Sequence, residues 1–120
     1  MDLISSVALK ALDGLYARQA ATAQNVANAG SENYVPVRVT FEQALHEAWT
    51  DAQAANATQA TDAIDAVKPE VVEDALAGHA VRIDEEVAEA AQTTAHYALV
   101  SGMLSRHLQF AELAVKGAIG

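Results

Sequence analysis

Four histidines and one run of carboxylates are the residues of this chain whose chemistry could act on a substrate. His46, His79, His96 and His107 could ligate a metal or carry protons near neutral pH. A metal site needs converging donors, which on a helix means spacings of three or four residues. His96 and His107 are three turns apart, about 16 Å along a helix axis, too far to share one ion. Glu42 and His46 have i, i+4 spacing but stand alone, and no Glu-x-x-His occurs, which removes the di-iron bundle signature. Asp84, Glu85, Glu86 and Glu89 could pair as general acid and base. The same four residues also make a helix start, where the dipole favours negative charge, and that reading needs no pocket. There is no glycine-rich phosphate loop and no Gly-x-Ser-x-Gly. The sequence therefore predicts no catalytic residue, no metal ligand and no cofactor, and a protein that is not an enzyme.

Composition narrows the remaining classes. At 120 residues the chain is one domain at most. A net charge of −9, with only seven Lys and Arg and no basic stripe, excludes a nucleic-acid binder and disfavours anionic lipid surfaces. The absence of cysteine excludes disulfides and thiolate metal sites. No run is long and apolar enough to insert in a membrane, and the first 15 residues lack the basic and apolar regions of a cleaved secretory signal. The chain is expected in the cytoplasm, or to leave it by a route that ignores such signals. Alanine dominates the 52% hydrophobic fraction and aromatics supply only 5%, so the core is thin and the monomer is expected to be marginal without partners.

The elements that must position everything else lie at the two ends. Ile83, Val87, Ala90, Thr94, Tyr97, Ser101, Leu104, Leu108, Ala111, Val115 and Ala118 recur at alternating steps of four and three. Ser5, Ala8, Leu12, Leu15, Gln19, Thr22, Val26 and Ala29 keep the same rhythm. That alternation marks a helix whose seam faces another helix over many turns. Core positions of a monomeric bundle would look alike, but Leu99, Met103, Phe110 and Leu113 lie off the main stripe, more apolar surface than one partner helix covers. The predicted fold is all-α: two long terminal helices paired as an antiparallel coiled coil, over residues 1–29 and 84–118. Between them, residues 30–83 are read as a turn, a short helix and a low-complexity or extended middle. Asp2 is placed to cap the first helix and Gly30 to stop it in a left-handed turn, with Gly14 an interior weakness of about 1 kcal/mol relative to Ala. Residues 35–39 read as extended, 41–49 as a short amphipathic helix, and 51–65 as mobile for want of large apolar anchors. Residues 67–83 are ambiguous between extended chain and a helical turn that opens at Pro69 and ends at Gly78.

The segment AATAQNVANAGSENYVPVRVTF, residues 20–41, resembles the N-terminal signature of flagellar axial proteins. In that family a helix ends in Asn-Ile/Val-Ala-Asn, then come a short turn, a tyrosine and an extended stretch. Asn25, Val26, Ala27 and Asn28 match, and Tyr34 falls where the tyrosine is expected. The C-terminal segment is similar to the closing helix of the family's proximal rod proteins: an acidic opening with alternate hydrophobics, a mid-helix tyrosine, a Leu-x-Arg step and a terminal Lys-Gly. Ile83, Asp84, Glu86, Val87, Tyr97, Leu104, Arg106, Lys116 and Gly117 fall in those places. Two departures stand out. The family usually has Thr-Pro-Gly-Tyr after the second Asn, and Asp-Leu-Glu where this chain has Arg82, Ile83 and Asp84.

The resemblance implies a structural subunit of the bacterial flagellar basal-body rod. Such subunits leave through the flagellum's own type III export channel, without a cleaved signal, and assemble in the periplasm. Its partners would be copies of itself, other rod subunits and components of the basal ring and export gate, in a helical homo- or hetero-oligomer that transmits torque. It also implies that residues 67–83 are extended. The expected assembly seam is Leu12, Leu15, Val26, Tyr97, Leu104, Leu108 and Val115, with Asn25, Asn28 and Tyr34 shaping the helix exit. The rival expectation is a small acidic helical chaperone that binds export substrates, and a weaker third is a helical-bundle enzyme with a hidden metal site.

Overall fold

Asp2 starts the first helix as its position suggests: its carboxylate accepts the Ser5 backbone N–H at 2.8 Å, and α1 runs from Leu3–Ala27. The computed structural model describes residues 1–74 and 80–119, so Gly78 and His79 lie outside the described residues. Asn28 closes α1, its side-chain amide donating to the Gln24 carbonyl at 2.9 Å. The left-handed residue of the exit turn is Asn33, with φ of 61°, and not Gly30. Asparagine tolerates that conformation where most residues do not. Pro36 is buried just before a strand, β1 Val37–Thr40, which pairs antiparallel with β2 Glu70–Glu73 in the register Val37↔Glu73 to Thr40↔Glu70.

That two-stranded ribbon corrects the all-α expectation. The fold is mostly helical, with a clasp of two short strands across its middle. The alternation Val37, Arg38, Val39 carried the signal for β1. Its partner Glu70, Val71, Val72, Glu73 has no comparable pattern, since Val71 stays exposed in a two-stranded ribbon with one open face.

Between the strands lie α2 Glu42–Gln53 and α3 Ala57–Asp65. Residues 51–65, expected to be mobile, are helical for most of their length. Asn56 caps α3 by accepting the Gln59 N–H at 2.9 Å, and Ile64 at 0% exposure anchors it. One isoleucine suffices because Ala48, Ala52 and Ala60 are also buried, and small side chains let backbones approach closely. Lys10 donates to the Asp65 carbonyl at 3.1 Å, tying the end of α3 to α1.

Phe41, at the entrance to α2, explains Gly14. Its ring lies flat on the α1 backbone, where a Cβ on Gly14 would come within 2.5 Å of the ring carbons, and the Arg18 guanidinium covers it 4.9 Å from the ring centroid. The core continues through Leu15, Val39, Leu45, Ile64 and Val67.

The last helix, α4 Ile83–Ile119, has 37 residues and spans about 55 Å. It packs antiparallel on α1: Asn25 meets Glu86, Gln19 meets Thr94, and Asp2 meets His107. The inward face of α4 differs from the expected stripe. Ala90 and Leu104 belong to both, while Tyr97 is exposed. The more buried alternate positions are Glu86, Thr93, Val100 and His107, each one residue from the expected Val87, Thr94, Ser101 and Leu108; Thr94 still meets Gln19 and Ser101 is half-buried, so the face is turned only part of the way. Leu108, at 52% exposure, and Val115 lie level with or beyond the start of α1 and are exposed.

Replacing an interior helical glycine by alanine ordinarily stabilises by about 1 kcal/mol. Here Gly14→Ala drives a methyl into a buried ring that the Arg18 guanidinium also contacts, and the expected outcome is a net loss of roughly 1–3 kcal/mol in chemical denaturation. A stabilised variant would contradict this packing.

Candidate assembly surface and the polar knot behind it

Asn25 occupies the last full turn of α1 with 0% exposure, and its amide has two donors and two acceptor positions to satisfy. All four are used. Oδ1 accepts the Val37 N–H at 2.8 Å and the Tyr34 hydroxyl at 2.8 Å. Nδ2 donates to the Val37 carbonyl at 2.9 Å and to Glu86 Oε2 at 3.1 Å. One side chain therefore holds the returning chain at Tyr34 and Val37 and the last helix at Glu86. Asn28 serves the exit locally, through its Gln24 contact and a long bond to the Ser31 hydroxyl, while Val26 and Ala27 point to solvent.

Glu86 is 1% exposed, and its second oxygen lies 2.8 Å from Arg38 Nη2. Arg38 also reaches Asp74, just past β2, with Nε 3.2 Å from Oδ2, and the Asp74 N–H closes on the Pro36 carbonyl at 2.8 Å. The hydrogen bond to Glu86, and then the one to Asp74, hold the Arg38 guanidinium above its ordinary pKa. The knot joins α1, both strand ends and α4. Breaking a buried pair by deleting one partner costs about 3–5 kcal/mol, because the other charge is left stranded.

Arg18 makes a second tie. Its Nη2 donates to the Val39 carbonyl at 2.8 Å and to Glu42 Oε1 at 2.6 Å, and its Nε lies 4.0 Å from Glu89. The Arg18 hydrogen bond holds the Glu42 carboxyl below its ordinary value. At the far end of the seam His107 Nε2 lies 2.6 Å from Asp2. The Asp2 carboxyl sits well below the usual carboxylate range, through its bond with Ser5 first and with His107 second.

These contacts divide the acidic cluster among separate duties. Asp84 and Glu85 pair with Arg82 at 3.4 and 3.2 Å, Glu86 enters the knot, and Glu89 faces Arg18. His46 and His96 are exposed on different helices, and among the described residues no group of three His, Asp or Glu could hold a metal. Among the described residues no helix is long and apolar enough to cross a membrane.

Of the expected seam residues, Leu15 is buried and Leu12 and Leu104 are half-buried between helices. Val26, Tyr97, Leu108 and Val115 are exposed. The structure adds Arg18, Arg38 and Glu86, which the seam pattern does not include. A signal existed for two of them. Arg38 alternates with valines on a strand, and Glu86 lies seven and fourteen residues before Thr93 and Val100.

What remains uncovered is apolar. Leu99, Met103, Phe110, Leu113 and Val115 are all exposed along α4, Phe110 at 70%, and residues 108–119 run past the start of α1. Contiguous apolar surface of this kind marks an interaction face. No protein-family model and no curated protein sequence matches the chain.

Removing the Asn25 amide leaves the Val37 backbone and Glu86 short of partners, so Asn25→Ala should cost at least about 1–3 kcal/mol in denaturant unfolding. Asn25→Asp instead sets a second carboxylate against Glu86. Its deficit should exceed that of Asn25→Ala, because two carboxylates then face each other out of water. A smaller deficit would contradict the buried contact.

Proposed function

We propose that this chain is a non-enzymatic structural subunit of the bacterial flagellar rod, of the proximal FlgB kind, exported without a cleaved signal and assembled in the periplasm. The observation that carries the reading is the Asn25-Val26-Ala27-Asn28…Tyr34 motif. Two of the residues that resemble the axial-protein signature, Asn25 and Tyr34, also tie the chain returning from α1, and Asn25 reaches α4 as well. A body made this way presents two antiparallel terminal helices with apolar surface left over, which suits a part that packs lengthwise among copies and related subunits. Its work is mechanical: it links the basal ring and export gate to the distal rod and passes torque through packed helices. The acidic surface stays in water.

The rival reading, a chaperone for export substrates, draws on one feature. A hollow of about 500 Å³ lined by Ile4, Val7, Ala11, Trp49, Val100 and Met103 could take an apolar segment of a client. The exposed tail of α4 has no part in that reading and favours the subunit.

Deleting the gene from its source bacterium separates the two. The rod reading predicts non-motile cells, restored by complementation, and this chain among the proteins of purified basal bodies. Motile deletion cells, or a chain found only in the cytoplasm bound to export substrates, would overturn it.

A further inference from the structure

Two seams overlap on the side of α4 that meets α1. Glu86, Thr93, Val100 and His107 belong to one, Val87, Thr94, Ser101 and Leu108 to the other, and both take Ala90 and Leu104 as alternate positions. Each keeps the rhythm of threes and fours that a helix seam requires, and their mid-lines lie about 50° apart around the helix. The first seam is the one seated on α1. Gln19 nevertheless donates to the Thr94 hydroxyl of the second at 3.2 Å, while its Oε1 is shielded from water and accepts nothing among the described residues. The flank on the side of the second seam is open. Two adjoining hollows of about 330 and 360 Å³ lie along it, walled by Leu15, Tyr16 and Val26 of α1 and by Val87, Tyr97 and Ala98 of α4.

We propose that α4 has two seatings on α1, exchanged by a roll of about 50° about its own axis, and that the contact between Asn25 and Glu86 selects the one seen here. The device serves a rod subunit and a chaperone alike, so it does not rest on either reading. Three observations carry it. The first is that the roll closes what is open, because it turns Val87 and Thr94 toward α1 and brings the apolar walls of the hollows together. The second is that little bars the way. Between the Asn25–Glu86 and Gln19–Thr94 contacts the seam holds Thr22, Ala90 and Thr93, and no large side chain there has to climb over another.

The third is that the roll strands no charge. Glu89, about 60° round the helix from Glu86, faces Arg18 and lines a hollow of about 130 Å³ with Arg38. Rolling carries Glu86 to that side, still beside both arginines, and moves Glu89 out to water. What Glu86 gives up is the Asn25 amide, its partner on α1. Two packings of one helix that differ by so little exchange as discrete states. In the seating seen here Val87, at 60% exposure, is offered to a neighbour and Thr93, at 3%, is hidden. The other seating reverses them, so the choice of seating sets which surface α4 shows.

The lack of cysteine lets those two positions report the seating. Val87→Cys and Thr93→Cys are placed in separate chains, and thiol alkylation is timed with and without Glu86→Ala, each chain first shown to keep its helical spectrum. With Glu86 present the Val87→Cys thiol should react fast and the Thr93→Cys thiol slowly. Glu86→Ala removes the selecting contact and leaves the Asn25 bonds to Tyr34 and Val37 in place. It should slow the first thiol and speed the second, each by at least about tenfold. Opposite shifts cannot come from loosening, which exposes both positions. Both thiols speeding up together, or neither changing, would overturn the proposal. If Glu86→Ala does not fold, Ser101→Leu thickens the second seam with Glu86 and its partners kept. It should slow the first thiol and speed the second by at least about twofold, and unchanged rates there would equally overturn the proposal.

Discussion

Glu86 keeps a carboxylate out of water on the inner face of the longest helix, and the orientation of that helix depends on the groups that meet it. A stranded carboxylate inside a protein is costly, so the helix can turn only to where Arg38 and Asn25 stand. Apolar pattern alone would have turned α4 about 50° the other way, with Val87 and Leu108 inward. The charge pair prevails because the apolar alternative is weak: the seam is built of Ala, Ser and Thr, and burying such side chains removes little surface. The consequence reaches the far end of the molecule. With Glu86, Thr93, Val100 and His107 inward, the open flank of the seam and the tail beyond His107 carry the apolar residues that a tightly closed coiled coil would have hidden.

Asn25 gives this arrangement its economy. One amide replaces a missing stretch of backbone pairing by bonding both the N–H and the carbonyl of Val37, and its second proton reaches Glu86. Tyr34 completes the set from the exit turn, where Asn33 adopts a left-handed conformation. Phe41 and Arg18 repeat the idea one layer down: a ring seated on Gly14, roofed by a guanidinium that also ties strand to helix. Polar and aromatic contacts at a few points do what a large core does in other domains.

How far the sequence disclosed this follows from the same physics. The two terminal helices were legible because only a helix with a continuous buried seam keeps a rhythm of threes and fours over so many turns. The cap at Asp2 and the turn after Asn28 were legible from side-chain chemistry. The rotation of α4 was not, since a stripe of mostly small residues scores nearly alike on adjacent faces and Glu86 reads as a solvated helix start. Helix α3 was missed because its alanines look like low complexity until Ile64 is seen to anchor them. The strand pair was half-legible: Val37 and Val39 flank Arg38 in the expected alternation, but nothing local to Glu70–Glu73 says which partner it takes. Gly14 read as a weakness and is a seat for Phe41, a long-range fact no local pattern holds. Among the seam candidates, Leu15 and Leu104 lie between helices, while Leu108 and Val115 lie where only another molecule can cover them.

The central claim is that a knot at one end fixes α4 along α1 as far as His107 and leaves the tail for partners. Amide hydrogen exchange on the purified, dilute chain reads this directly. The account predicts slow exchange across residues 86–107 and fast exchange across 110–119, with the second stretch becoming protected only on concentration or assembly. Equal protection along the whole helix in the dilute chain, or fast exchange around Glu86 and Thr93, would contradict it.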